Sequence, residues 1–231
     1  MDRPLQLVLI RHPESERNAA KKGNIYFPDE ISRELVRGIP DQDIGITPLG
    51  VNQATVTGIQ LAARFPAPDY AYHSGYKRTK EGLEYVLNAF PSDVRANIQV
   101  RSKTFIRERH PGYTYDMTTA EAEVAFPWLK EYWQTFGGFH AVPPGGESIA
   151  TMVQRVYLFL NMLFRDRAGK RVWVMTHGGT LRCFRYLLER WTDDQAIRWP
   201  EGMAPKNCGV TIYEFPPEQE PQLIQYNTVY Y

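Results

Sequence analysis

The sequence predicts an α/β protein, a three-layer αβα sandwich with a mostly parallel central sheet and an aromatic-rich cap insertion. Three observations carry that prediction. Short apolar runs stop abruptly where helix-start signals begin. Amphipathic stretches long enough for helices lie between them, and strand-like and helix-like segments alternate, the pattern of a parallel sheet covered on both faces. A chain of 231 residues with 43% hydrophobic and 13% aromatic composition has enough apolar material for a substantial core. We take residues 1–231 as a single domain, with the cap insertion at about 111–146.

The elements follow in order. Leu5 to Ile10 reads as a central strand whose carboxyl end delivers Arg11 and His12, and Ser15 to Lys22 as a short helix stopped near Gly23. Asn24 to Ile46, with Pro28, Gly38, Pro40 and Gly45, reads as a long irregular connection, either a binding loop or a surface insertion. Thr47-Pro48-Leu49 is a hydroxyl N-cap with proline at the first helical position, and Val51, Ala54, Gly58, Leu61 and Phe65 form the apolar stripe behind it. Tyr70 to Ser74 is the second strand, Lys77 to Phe90 its helix, and Asn97 to Ser102 the third strand. Gly112 to Gly146 is rich in aromatics and interrupted by Pro127, as a small subsidiary core or a cap over a pocket would be. Ser148 to Asp166 is the clearest helix, with Ile149, Met152, Val153, Val156, Leu160, Leu163 and Phe164 on one face. It leads into the strand Val172 to Thr176, then His177-Gly178-Gly179 and another helical stripe. Asn207 to Phe215 and Gln222 to Val229 form a terminal hairpin around Pro216-Pro217.

Charge and cysteine content narrow the function classes. With 27 Lys+Arg against 26 Asp+Glu the net charge is +1, so no global field recruits nucleic acid or an anionic membrane. Cys183 and Cys208 lack metal-ligand or disulfide spacing and read as free thiols of a reducing compartment. The apolar run near the N-terminus is too short for a signal peptide or a membrane span, so a cytoplasmic location is expected. A small phosphorylated substrate is the expected partner, without nucleic acid or membrane, and a homodimer is left open.

Two strand-to-helix junctions, 165 positions apart, each present a histidine. Singly, each is an ordinary strand-end residue. Together with Arg11 and helix N-termini, whose unpaired N–H groups attract anions, they suggest a phosphate site. The order Arg11-His12-x-Glu14-Ser15-x-x-Asn18, Ser74-x-x-x-Arg78-Thr79, Ile106-Arg107-Glu108, Gly145-Gly146-Glu147-Ser148 and Thr176-His177-Gly178 resembles the histidine phosphatase superfamily, which includes the cofactor-dependent phosphoglycerate mutases. The resemblance spans Leu5 to about Phe215. It implies that His12 is the nucleophile that becomes phosphorylated and Glu108 the proton donor. It also implies that Arg11, Asn18, Arg78, His177 and Gly178 cradle the phosphate, with His177 taking part in catalysis, and that no metal or cofactor is required.

Two departures qualify that expectation. Pro13 stands where the family usually has glycine, which removes a backbone N–H and predicts an altered loop geometry. After Glu108 comes Pro111, with no arginine pair before Gly145, where the mutases hold a substrate carboxylate. That disfavours a carboxylated substrate and favours a phosphatase of small phosphate monoesters. A phosphoglycerate mutase and a catalytically idle phosphate-binding member of the fold are the alternatives, and a metal site built from His12, Glu108 and His177 ranks last.

Overall fold

Leu7 to Ile10 and Val172 to Met175 are fully buried, and both faces of each run are covered, as in the middle strands of a parallel sheet. The computed structural model of the chain describes residues 3–231. Its strands are β1 (Gln6–Arg11), β2 (Tyr70–His73), β3 (Gln99–Ser102), β4 (Arg171–Thr176), β5 (Val210–Glu214) and β6 (Gln222–Thr228). Its helices are α1 (Glu16–Lys21), α2 (Glu30–Glu34), α3 (Pro48–Arg64), α4 (Lys77–Leu87) and α5 (Ser92–Arg95), then α6 (Thr119–Ala125), α7 (Leu129–Phe136), α8 (Ile149–Asp166), α9 (Gly178–Leu188) and α10 (Asp193–Ile197).

One six-stranded sheet has the order β3-β2-β4-β1-β5-β6. The first four strands in that order are mutually parallel, and the terminal hairpin β5–β6 adds two antiparallel strands beside β1. Alternation along the central strands divides the core in two. Leu7, Leu9, Val172 and Val174 pack with Val156, Phe159 and Phe184 of α8 and α9. Val8, Ile10, Trp173 and Met175 pack with Ala54, Leu61, Leu83 and Val86 of α3 and α4. The expected three layers are therefore present. No helix among the described residues is long and apolar enough to cross a membrane.

Local signals locate most boundaries. Ser15, Thr47 and Ser148 each accept a backbone N–H at the start of their helices. The last strand pair begins later than expected, because Cys208 takes a left-handed conformation (φ 50°) and turns the chain before Val210. Cys183 and Cys208 are buried free thiols.

The connection 24–46 is more ordered than its composition suggests. It contains α2 and a 3₁₀ turn at Asp41–Asp43, and its Phe27, Val36 and Ile44 form a satellite core with Ala20. It is also stitched to the 111–146 insertion. Phe27 exchanges backbone hydrogen bonds with Met117 and Thr119, and Arg33 pairs with Glu121 at 2.7 Å. Two segments far apart in sequence thus form one layer over the carboxyl ends of the strands.

The turn after β1 explains a glycine in α4. Pro13 lies against Gly82, where an added Cβ would stand 2.4 Å from the proline Cδ and 2.8 Å from Cγ. We expect Gly82→Ala to destabilise the fold by about 1–3 kcal/mol through overpacking, despite the better helix propensity of alanine. Pro13→Gly should recover most of that loss in the same background. Urea unfolding of the four proteins tests it, and an equal loss in both backgrounds would remove the contact as the cause.

Candidate active site

Parallel register brings the two histidines together. Arg11 lies opposite Thr176 in the β1–β4 pair, so His12 and His177 are the next residues on adjacent strands. His12 continues the ladder by donating its backbone N–H to the Thr176 carbonyl at 2.8 Å. The two rings sit with centroids 5.1 Å apart. Both residues are buried, at 4% and 0% exposure.

Each ring is oriented by a different nitrogen. His12 Nδ1 lies 2.7 Å from the Pro13 carbonyl, which only accepts, so Nδ1 carries the proton and Nε2 keeps a lone pair. His177 is held the other way. The Thr79 hydroxyl donates to the Tyr76 carbonyl at 2.8 Å and so accepts from Ser74 Oγ at 2.9 Å. Ser74 Oγ in turn accepts from His177 Nε2 at 2.9 Å. His177 Nδ1 is buried with no partner among the described residues. One ring thus presents a nucleophilic nitrogen, and the other a nitrogen that can donate to an anion once protonated.

The cations stand around this pair. Arg11 donates from Nη1 to the Pro205 carbonyl at 2.5 Å, while its buried Nε has no partner among the described residues. Arg78, on the first turn of α4, is only 4% exposed. Burial holds both histidines well below the ordinary imidazole value, and the charges of Arg78 and Arg11 push in the same direction. Asn18 closes the α1 capping box, and its Oδ1 accepts from Asn207 Nδ2 at 3.3 Å. Asn207 also donates to the His12 carbonyl at 2.9 Å, which ties the β1 end to the turn before β5.

Glu108 reaches the site from a separate segment. Thr176 Oγ1 donates to the Ile106 carbonyl at 2.8 Å, and Thr180 Oγ1 to the Arg107 carbonyl at 2.7 Å. These bonds fasten residues 106–107 to the start of α9. The Glu108 carboxylate accepts the Gly179 N–H at 3.3 Å and the Arg109 N–H at 2.8 Å. A side chain at 179 would put Cβ 2.4 Å from Glu108 Oε1, which gives that glycine its function. At Gly178, one residue earlier, an added Cβ would stand 3.8 Å from Arg11 Nε, in ordinary contact. Behind the segment, Glu147 and Arg155 form a pair at 2.7 Å, and Arg155 also donates to the carbonyls of Phe105 (2.7 Å) and Glu108 (3.2 Å).

One residue beyond Glu108, Arg109 lines a cavity of about 890 Å³ together with, among others, Leu129, Trp133, Arg182, Ile197 and Arg198. The 109–145 stretch is not the only source of cations here, because the fold brings Arg182 of α9 and Arg198 beyond α10 to the same cavity. Among the described residues, no group of three His, Cys, Asp or Glu side chains is placed to hold a metal ion.

Comparison with known proteins finds both a family model and solved folds that match the chain. The family model described as histidine phosphatase superfamily (branch 1) matches residues 7–228. The 2,3-bisphosphoglycerate-dependent phosphoglycerate mutase of Methylocella silvestris is 30% identical over 191 residues, covering 80% of this chain and 82% of its own. The enzyme of that name from Sinorhizobium fredii is 29% identical over 196 residues, with 83% and 82% covered. Among solved structures, the alpha-ribazole phosphatase from Shigella flexneri aligns over 96% of both chains with a TM-score of 0.74 at 18% identity. The mycobacterial glucosyl-3-phosphoglycerate phosphatase with inorganic phosphate aligns over 97% of both chains with a TM-score of 0.71 at 19% identity.

The buried imidazoles imply a pH dependence of stability. Their folded pKa values lie below the unfolded value of about 6.5, so the unfolded chain binds more protons as pH falls. Their contribution is complete above about pH 6.5 and is lost below it, by up to about 1.4 kcal/mol per pH unit for each histidine. Urea unfolding between pH 7.5 and 5.5 should show this slope, and His177→Gln should flatten it. Identical slopes for the two proteins would exclude His177 as a source.

Proposed function

The chain belongs to the histidine phosphatase superfamily, a family of phosphoryl-transfer enzymes, and from that premise we propose that it hydrolyses small-molecule phosphate monoesters through a phosphohistidine on His12. The observation that carries the proposal is the pair of histidines with centroids 5.1 Å apart, one freeing Nε2 and the other Nδ1.

Phosphoryl transfer needs a nucleophile in line with the leaving oxygen, positive groups around the equatorial oxygens and a proton for the departing alkoxide. His12, neutral because its buried site disfavours the cation, offers the Nε2 lone pair to phosphorus. Arg11 and Arg78 supply forked N–H donors, each charge-assisted hydrogen bond contributing roughly 1.5–3 kcal/mol. The arriving dianion opposes the burial that keeps His177 neutral, so a proton on Nδ1 accompanies binding and completes the cradle with the first turn of α9. The N–P bond forms as the ester O–P bond breaks, and Glu108 gives its proton to the leaving oxygen. In the second half, Glu108 takes a proton from water, the water oxygen bonds to phosphorus, and the N–P bond breaks to release phosphate.

The alcohol portion of the ester is assigned to the cavity that Arg109 lines. Leu129, Trp133 and Ile197 suit an apolar or planar surface, and Arg109, Arg182 and Arg198 suit oxygen-bearing groups. The relatives named as mutases support a second reading, in which the phosphohistidine passes its phosphoryl group to another hydroxyl rather than to water.

Three measurements test the reaction. The protein should turn over p-nitrophenyl phosphate in excess EDTA, and His12→Ala should reduce the rate by at least about a thousandfold. Activity lost to EDTA and restored by a divalent cation would overturn the proposal. Incubation with 3-phosphoglycerate and 2,3-bisphosphoglycerate should release inorganic phosphate at most, whereas accumulation of 2-phosphoglycerate would establish the mutase reading. Glu108→Gln should slow alkyl phosphates about tenfold more than p-nitrophenyl phosphate, whose leaving group needs no proton. Equal slowing would remove Glu108 from the acid role.

A further inference from the structure

Arg78 already holds an anion. Its Nη1 donates to the Asp41 carbonyl at 2.7 Å and to Oδ1 at 3.0 Å, and its Nη2 donates to Oδ2 at 3.3 Å. The pair is well shielded, with side-chain exposures of 5% for Arg78 and 22% for Asp41. A carboxylate across a guanidinium fork presents two oxygens much as the edge of a phosphate does. Arg78 cannot give that fork to a substrate while Asp41 keeps it.

Space and a second cation lie beside Asp41. A cavity of about 300 Å³ is lined by Asp41, Gln42, Tyr76, His110 and Tyr115, among others. Arg17 stacks on the Tyr115 ring at 3.7 Å and donates from Nη2 to the Tyr115 carbonyl. Its Nη1 is buried with no partner among the described residues. Next to it, burial and the charge of Arg17 push Lys21 down to about 8, while Asp41 acts the other way on both. Two cations are therefore crowded together within the fields of two carboxylates, Asp41 and Asp116, of which Asp41 is bonded to Arg78.

We propose that Asp41 is a positioning residue with two seats: it occupies Arg78 in the empty site and moves to Arg17 when the phosphate of the substrate takes the Arg78 fork. The inference rests on the phosphate-binding role given to Arg78 above. An internal carboxylate lowers the apparent affinity for any anion that needs Arg78, because only the fraction of molecules with the fork open can bind it. The same competition favours release of product phosphate. The 3₁₀ turn at Asp41–Asp43 moves with the carboxylate, so the 24–46 segment reports whether the site is filled.

Calorimetric titration with inorganic phosphate reads the competition without turnover. Asp41→Asn keeps the shape of the side chain and removes its charge, and should tighten phosphate binding about tenfold, with KM for p-nitrophenyl phosphate falling more than kcat changes. Asp41→Glu should restore wild-type binding. Arg17→Gln should weaken phosphate binding about threefold in the wild type and leave it unchanged in the Asp41→Asn background. Unchanged or weaker binding in Asp41→Asn would overturn the inference alone, provided His12→Ala still abolishes hydrolysis. An equal loss from Arg17→Gln in both backgrounds would make Arg17 a direct ligand and remove the second seat. Absence of phosphate binding by both wild type and Asp41→Asn would remove the phosphate role of Arg78 and this inference with it.

Discussion

The parallel register of β1 on β4 is the constraint from which the site follows. Neighbouring strands lie about 4.8 Å apart, so residues that continue two paired strands in register leave the sheet side by side. Arg11 opposite Thr176 therefore commits His12 and His177 to one another. The next pairing extends the arrangement, since β2 matches β4 as far as His73 and Met175, and Ser74 then emerges beside the second histidine. A slip of one residue between β1 and β4 would exchange Leu7 and Leu9 for Val8 and Ile10 across the sheet. It would cost both halves of the core as well as the site. The same packing that stabilises the fold thus holds the reacting groups.

Once placed, the two rings differ through backbone and hydroxyl contacts alone. A carbonyl fixes the proton of His12 on Nδ1, whereas the chain from Tyr76 through Thr79 and Ser74 fixes that of His177 on Nε2. The departure at Pro13 acquires a role here. A missing N–H matters little at a residue whose carbonyl is the group in use, and the ring fills the space left by Gly82. Unpartnered polar atoms at Arg11 Nε and His177 Nδ1 carry a desolvation cost in the empty protein. An anion bound there would relieve that cost, adding to affinity without new structure. Stability and readiness to bind oppose each other at these atoms.

Most of the scaffold could be read from the chain because its signals are local. The N-caps at Ser15, Thr47 and Ser148 and the apolar runs of β1 and β4 act over a few residues, and the structure places them where those signals lie. The resemblance singled out Arg11, His12, Arg78 and His177, which the fold brings together, and Glu108, which it sets at the start of α9. The residues that were missed act over long separations. Thr180 holds Arg107 across 73 positions and Asn207 holds the His12 carbonyl across 195, and neither leaves a periodicity or a composition to detect. Asp41 was missed for another reason. An aspartate in a polar, proline-rich stretch looks like any solvated charge until the fold sets Arg78 across from it.

This division between local and distant signals also separates chemistry from selection. Arg11, His12, Arg78 and His177 stand on strand ends and first helical turns, elements fixed by a two-sided core and unable to shift without disturbing it. Much of the cavity wall and the carboxylate that meets Arg78 come from 24–46, 111–146 and the stretch around α10, held to one another by contacts such as Phe27 with Thr118, Arg33 with Glu121 and His140 with Asp193. Substitutions there alter shape and charge while the sheet keeps its register. Relatives with one fold can therefore keep a common phosphoryl-transfer step and differ in the alcohol they accept. In this chain that same layer also carries Asp41, the carboxylate seated on the Arg78 fork.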